Sequence, residues 1–95
     1  MNVQEHLFEV LSEECNEIGQ VCSKVNRFGL LDEYQGITSK ERLEKEIDDL
    51  LAVVEMLNAR GLSIQIGNRE NIEQKKRKVL KNMEYARLRG HLLGT

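Results

Sequence analysis

The chain has 95 residues, of which 40% are hydrophobic and 32% charged, with no proline, no tryptophan, two tyrosines and two phenylalanines. This length supports one small domain with a limited core, and the composition favours helices over a β sandwich. The net charge is −2, the N-terminal residues are acidic, and no apolar run is long enough to span a membrane. We therefore expect a cytoplasmic protein without membrane contact.

The first predicted helix covers residues 2–26 and carries its apolar residues at spacings of three and four. This stripe consists of Leu7, Val10, Leu11, Ile18, Val21, Cys22 and Val25. Such a pattern is typical of a helix face that packs on a core. At about 100° per residue, Glu14 falls in the middle of the stripe and Glu17 on its edge. The two carboxylates therefore share one helix face, with Cβ atoms about 5–6 Å apart.

The second predicted helix covers residues 39–59 and repeats this arrangement. Thr38 and Glu41 fit a capping box at its start. Its apolar stripe consists of Leu43, Ile47, Leu50, Leu51, Val54 and Leu57. Glu46 falls inside the edge of the stripe and Asp49 on its shoulder, which gives a second acidic pair at the border of a core-facing surface.

The remaining segments complete a three-helix, all-α fold in a single domain over residues 1–95. They are a loop (30–37), an extended connector (62–67), a third helix (68–88) and a tail (89–95). The apolar positions of the third helix predict that it buries the following side chains: Ile72, Val79, Leu80, Met83 and Ala86. This helix is strongly basic, whereas the first 23 residues contain five glutamates and no lysine or arginine. Two such helices attract each other, or a ligand bridges them.

The acidic pairs require compensation, because like charges about 5 Å apart repel by roughly 3 kcal/mol at an effective dielectric constant of 20. Protonation is one solution, and pairing with basic side chains of the third helix is a second. Binding of a divalent cation is the third, and an all-oxygen ligand set suits Mg²⁺ or Mn²⁺ better than Zn²⁺. The spacing alone leaves these three open. A di-iron centre is disfavoured, because neither His6 nor His91 belongs to an acidic motif.

The two cysteines, Cys15 and Cys22, lie seven residues apart on the first helix. This separation is about 10 Å along the helix axis, which is too far for a disulfide between them. The simplest interpretation is that both are small buried thiols in a reducing compartment.

The order of motifs along the chain resembles a known enzyme superfamily. The segment EECNE is followed about thirty residues later by EIDD, and KVNRFG, DLLAVVEML and KKRKVLKNMEYAR complete the pattern. These segments resemble the ExxE…ExxD signature and basic helix of the MazG-like, all-α nucleoside triphosphate pyrophosphohydrolases. The resemblance covers most of the chain. It implies Mg²⁺-dependent cleavage of the α–β phosphoanhydride of a nucleoside triphosphate, which yields a monophosphate and pyrophosphate.

The same resemblance implies roles for individual residues. The catalytic residues and metal ligands would be Glu14, Glu17, Glu46 and Asp49, with Mg²⁺ as cofactor and Mn²⁺ as a substitute. The candidate substrate-binding residues are Lys75, Lys78, Lys81, Asn82, Tyr85, Lys24 and Arg27. The three lysines of the third helix are three residues apart and form a ladder that suits a polyphosphate. Tyr34, Phe8 and Phe28 are candidates for stacking on a base, although both phenylalanines also fit a core at helix ends.

Alternatives from other functional classes remain. A catalytically silent oligomerisation module would use the apolar stripes for self-association and pair the acids with the third helix. Such a module would be expected to carry Leu or Ala in place of the acids within the stripes. Nucleic-acid binding is unlikely on chemical grounds, because the chain is acidic overall. The resemblance further implies a homodimer or homotetramer whose helices form a shared bundle, in agreement with the small size of the chain.

Overall fold

The computed structural model describes residues 1–93 and confirms the all-α fold class. Its helices are α1 (Val3–Phe28), α2 (Ser39–Ala59) and α3 (Arg69–Leu88), each within two residues of the predicted range. Residues 62–67, which the sequence predicts as an extended connector, form neither helix nor strand. No helix in the described part of the chain is both long and apolar enough to cross a membrane.

Each helix begins at a polar cap that satisfies an exposed backbone N–H. The predicted capping box is confirmed: the Glu41 N–H donates to Thr38 Oγ1 at 3.1 Å, and the Thr38 N–H donates to Glu41 Oε1 at 3.2 Å. The backbone and side-chain hydrogen bonds from Thr38 lower the pKa of Glu41. Asn2 and Asn68 cap α1 and α3 by accepting the N–H of the residue three positions later.

The core of the first unit lies between α1 and α2. Leu7 near the start of α1 packs with Val53 and the fully buried Leu57 near the end of α2, so the two helices run antiparallel. Four partly buried residues pack against this cluster: Val10, Leu11, Leu62 and Ile64. Ile64 is also held in place by two hydrogen bonds. The Asn58 side chain accepts the Ile64 N–H at 2.6 Å and donates to the Ile64 carbonyl at 2.9 Å.

A short β-hairpin joins α1 to α2, where the sequence predicts only a loop. Its strands, β1 (Glu33–Tyr34) and β2 (Ile37–Thr38), pair in antiparallel fashion. Gln35 and Gly36 form the turn with φ values of 55° and 77°. Positive φ at both central residues is typical of a type I′ turn, whose twist matches that of the strands. The segment was missed because two-residue strands carry too few positions for an alternating pattern.

The described chain divides into two compact units. The first is Met1–Ile64, and the second begins at Gln65 and contains α3. The prediction that α3 buries its apolar residues is wrong for the single chain, because none of the side chains of Arg69–Leu88 is buried. Of the five predicted, Ile72 and Ala86 are half-buried and the other three (Val79, Leu80 and Met83) are exposed. The reason is that a lone helix has no second element within its own unit to cover its apolar stripe.

One further expectation for α1 needs correction. Cys15 and Cys22 are free thiols, as predicted, but both are exposed rather than buried. The apolar spacing at Cys22 therefore does not lead to its burial in the single chain. Gly29 ends α1 with φ 100° and ψ 152°, a conformation favourable only for glycine.

Candidate metal centre

The acidic side chains of α1 and α2 meet where the two helices lie side by side. The antiparallel packing of Leu7 on Leu57 sets the register of the pair. It brings Glu14 and Glu17 of α1 opposite Glu46 of α2. One carboxylate oxygen from each of these three residues lies within 4.8 Å of the other two. Two acidic motifs that are about thirty residues apart in sequence therefore form one cluster.

Two members of the cluster have oxygen atoms that lack a partner. Glu14 and Glu46 are half-buried, in line with their predicted places inside the apolar stripes. The Oε2 atom of each is buried and has no hydrogen-bond partner in the described chain. A buried carboxylate oxygen without a partner is costly, because it has lost its hydration and gained nothing in exchange. The cluster thus offers only oxygen donors, two of them unsatisfied, which is the ligand type preferred by Mg²⁺ and Mn²⁺.

Glu17 is the exposed member of the cluster, and its acidic neighbours change its pKa. Its pKa is raised above the ordinary value of 4.5, mainly by a hydrogen bond with the Glu46 carboxyl group and by the negative charge of Glu46. Loss of hydration and the charge of Asp49 add to this rise in pKa, and the charge of Lys45 opposes it. A hydrogen bond between two carboxyl groups requires a proton on one of them. The neighbouring carboxyl groups therefore make the charged form of Glu17 less favourable.

Asp49, the fourth predicted metal ligand, lies beside the cluster and bonds to a lysine of its own helix. Lys45 Nζ donates to Asp49 Oδ2 at 2.8 Å. This bond raises the pKa of Lys45, as do the negative charges of Asp49, Glu46 and Glu14, so the amine stays protonated. Lys45 is thus a resident positive charge at the edge of the acidic cluster.

The predicted substrate-binding residues of α3 belong to the second unit, and all have exposed side chains. They are Lys75, Lys78, Lys81, Asn82 and Tyr85. The Arg89 guanidinium lies over the Tyr85 ring, 5.0 Å from its centroid. The three lysines make no hydrogen bond or ion pair with other described residues. Their amines are therefore available to bind an anion.

The two predicted substrate-binding residues of α1 lie near a cavity of about 290 Å³ at the hairpin end of the first unit. Lys24 lines the cavity, together with Phe28, Asp32, Tyr34, Ile37, Ser39 and Arg42. Arg27 lies over the Phe28 ring, 5.3 Å from its centroid. Arg42 lies over the Tyr34 ring at 5.5 Å, and its Nη2 donates to the Tyr34 carbonyl at 3.0 Å.

Three residues of this region carry chemistry that the sequence prediction missed. Lys45 stands four positions before Asp49, so the helical ion pair was recognisable from spacing. Arg42 stands four positions before Glu46 and shares its side of α2. Asp32 had no such signal, because its place beside α1 and α2 depends on the hairpin.

Comparison with models of protein families, with curated proteins and with solved structures finds no match to this chain. The resemblance seen in the sequence thus rests on the order of its motifs. What bears on function is the geometry of the acidic cluster and of the residues around it.

Proposed function

We propose that this protein is a Mg²⁺-dependent hydrolase that cleaves the α–β phosphoanhydride of nucleoside triphosphates into a monophosphate and pyrophosphate. The observation that carries the proposal is the pair of buried, unpartnered Oε2 atoms of Glu14 and Glu46 beside the carboxylate of Glu17. A hard cation held there retains open positions for phosphate oxygens. The resemblance to MazG-like pyrophosphohydrolases in motif order supports the same reaction.

In this proposal the acidic residues have distinct roles. Glu14 and Glu46 would hold the cation through their buried oxygens, with Asp49 as a further ligand. When bound, Mg²⁺ neutralises negative charge on the phosphates and on the leaving pyrophosphate, and lowers the pKa of the attacking water. Glu17 is exposed and can contact that water, so we propose that its carboxylate accepts the proton the water releases.

We propose that the second unit binds phosphate groups through Lys75, Lys78 and Lys81, because their amines are unpaired in the described chain. Asn82 and Tyr85 add neutral hydrogen-bonding groups on the same helix. Lys24 and Arg27, the cationic residues near the end of α1, are available to contact the remainder of the substrate.

We further propose that the protein acts as a homodimer or homotetramer. Four large apolar side chains of α3 are exposed in the single chain: Val79, Leu80, Met83 and Leu88. A second copy would cover them, since apolar faces of this kind usually mark an interface. An enzyme that acts on the nucleotide pool works where nucleoside triphosphates and Mg²⁺ are abundant, so the proposal places it in the cytoplasm.

The second candidate is a catalytically silent oligomerisation module. The same exposed apolar residues of α3 favour it, and the Lys45–Asp49 ion pair shows that the chain neutralises part of its acidic charge itself. Such a module would self-associate without a requirement for metal and would not turn over nucleotides.

A product assay distinguishes the two candidates. The purified protein is incubated with canonical and modified nucleoside triphosphates and Mg²⁺, and the products are resolved by ion-exchange chromatography. Monophosphate with pyrophosphate, abolished by a chelator and restored by Mg²⁺ or Mn²⁺, is the expected result. Diphosphate with phosphate would indicate cleavage at a different bond. No turnover, with no effect of Mg²⁺ on thermal stability, would favour the silent module.

A further inference from the structure

We infer that the cavity at the hairpin end of the first unit is the base subsite of the proposed enzyme and that it selects guanine, an inference that rests on the proposed function. The cavity has a volume of about 290 Å³. This is near the lower limit for small-molecule sites and suits a single planar base better than a larger ligand.

The cavity lies at a suitable distance from the acidic cluster. On α1, Lys24 follows Glu17 by seven residues, so it lies on the same side, about 10 Å along the axis. On α2, Arg42 precedes Glu46 by four residues, about 6 Å along the axis. Because the helices are antiparallel, Lys24 and Arg42 both lie on the hairpin side of the acidic cluster. A nucleotide with phosphates at the cluster therefore extends its base into this cavity.

Two exposed aromatic rings line the cavity. Phe28 is 62% and Tyr34 66% exposed, so neither ring contributes much to the core of the unit. Each is held by a guanidinium group, from Arg27 and Arg42 respectively. Rings fixed in this way stack on a base with little further loss of conformational freedom.

The hairpin anchors the backbone at Asp32, an acidic residue that lines the same cavity. The Asp32 carbonyl accepts the Ser39 N–H at 3.0 Å, and Ser39 is buried. The Leu30 carbonyl accepts the Lys40 N–H at 3.0 Å. These two bonds connect the segment before β1 to the first turn of α2. The backbone that carries the Asp32 side chain is therefore anchored on both sides.

Lys24 and Asp32 supply the selectivity. Both line the same cavity, yet in the described part of the chain neither their amine nor their carboxylate makes a hydrogen bond or an ion pair. The cavity thus presents a free cationic donor and a free anionic acceptor. A planar ligand that satisfies both has a carbonyl oxygen next to N–H donors.

Guanine fits this pair better than the other common bases. Its N1–H and N2 amino group are adjacent donors that suit both oxygens of the Asp32 carboxylate, and its O6 accepts from Lys24 Nζ. Adenine and cytosine place an acceptor nitrogen beside their amino group, which the carboxylate repels. Uracil and thymine offer one N–H between two carbonyl groups. A hydrogen bond to a charged group contributes enough to give about a tenfold to hundredfold preference for guanine.

The test compares kcat/KM for GTP, dGTP, ATP, CTP, UTP and xanthosine triphosphate in the wild type, in Asp32→Asn and in Glu33→Gln. Glu33 is the matched control, because it is the neighbouring exposed acid and does not line the cavity. We expect the guanine substrates to lead by about tenfold or more in the wild type and in Glu33→Gln. In Asp32→Asn this preference should disappear. Xanthosine triphosphate should become the better substrate, because its O2 accepts from the new amide.

The outcomes separate this inference from the proposed function. Turnover of all bases at similar rates, or a guanine preference unchanged in Asp32→Asn, would overturn the base assignment and leave the hydrolase intact. Absence of any turnover would overturn the proposed function. Calorimetric titration of the metal-free protein with GMP and AMP then tests the base subsite independently of turnover. GMP binding about tenfold tighter than AMP binding, and dependent on Asp32, would support it, whereas weak or equal binding would overturn it.

Discussion

Glu46→Gln tests whether the acidic cluster is a strained cation site. The ligand oxygens of the cluster lie within 4.8 Å of one another, and two unit charges at that upper limit repel by roughly 3.5 kcal/mol at an effective dielectric constant of 20. Because Glu14 and Glu46 are only half-buried, screening by solvent reduces the net effect to about 1–2 kcal/mol. Removal of one charge should therefore raise the midpoint of thermal unfolding of the metal-free protein by roughly 5–10 °C. The same change should abolish nucleotide hydrolysis.

The measurement is thermal unfolding followed by circular dichroism, in a chelator and at increasing Mg²⁺. At a hundred times its Kd, Mg²⁺ should stabilise the wild type by about 2.7 kcal/mol, and this gain should be lost in Glu46→Gln. Glu55→Gln is the control, since Glu55 is exposed on the same helix and makes no ion pair in the described chain. A variant that is no more stable without metal, or that keeps the full response to Mg²⁺, would refute the cluster as a strained cation site.

Three further predictions follow from the same geometry. The raised pKa of Glu17 means that the folded state binds its proton more tightly than the unfolded state, so metal-free stability is lost as pH rises above 4.5. Urea unfolding from pH 3.5 to 7 should show a smaller loss in Glu17→Gln, and equal pH profiles would contradict this. Lys45→Met removes the positive charge beside the cluster and should tighten Mg²⁺ binding several-fold by calorimetry; weaker binding would exclude Lys45 as a competitor of the cation. Thr38→Ala should cost about 1 kcal/mol of unfolding free energy through loss of the cap. Because the pKa of Glu41 is lowered by Thr38, this cost should be larger at pH 7 than at pH 3, and a pH-independent cost would argue against the coupling.

Local signals in the sequence predicted the helices well. The capping box of Thr38 and Glu41 marks the start of α2 through contacts between residues three positions apart. The spacing of apolar residues did not correctly predict burial of the apolar face of α3. Periodicity shows that Leu80 belongs to an apolar stripe, but burial depends on a partner surface, and none exists within its own unit.

The acidic cluster was predicted only in part. The position of Glu14 and Glu46 inside apolar stripes indicates partial burial, and both are half-buried in the structure. The ion pair between Lys45 and Asp49 was not predicted, although its spacing was visible in the sequence. Asp49 follows Glu46 by three residues and Lys45 by four, so its carboxylate has two charged neighbours on its own helix. Only the packing of the side chains selects between them.

The sequence by itself determined three helices, their caps and the two acidic pairs, because each of these depends on residues within about one helical turn. Only the tertiary structure decided that the pairs meet across α1 and α2, that two of their oxygens are buried without a partner, and that Lys24 shares a cavity with Asp32. These features depend on the antiparallel register set by Leu7 on Leu57 and on the hairpin between the helices. Neither the register nor the hairpin leaves a pattern in either helix alone, since both arise from contacts between residues far apart in the chain.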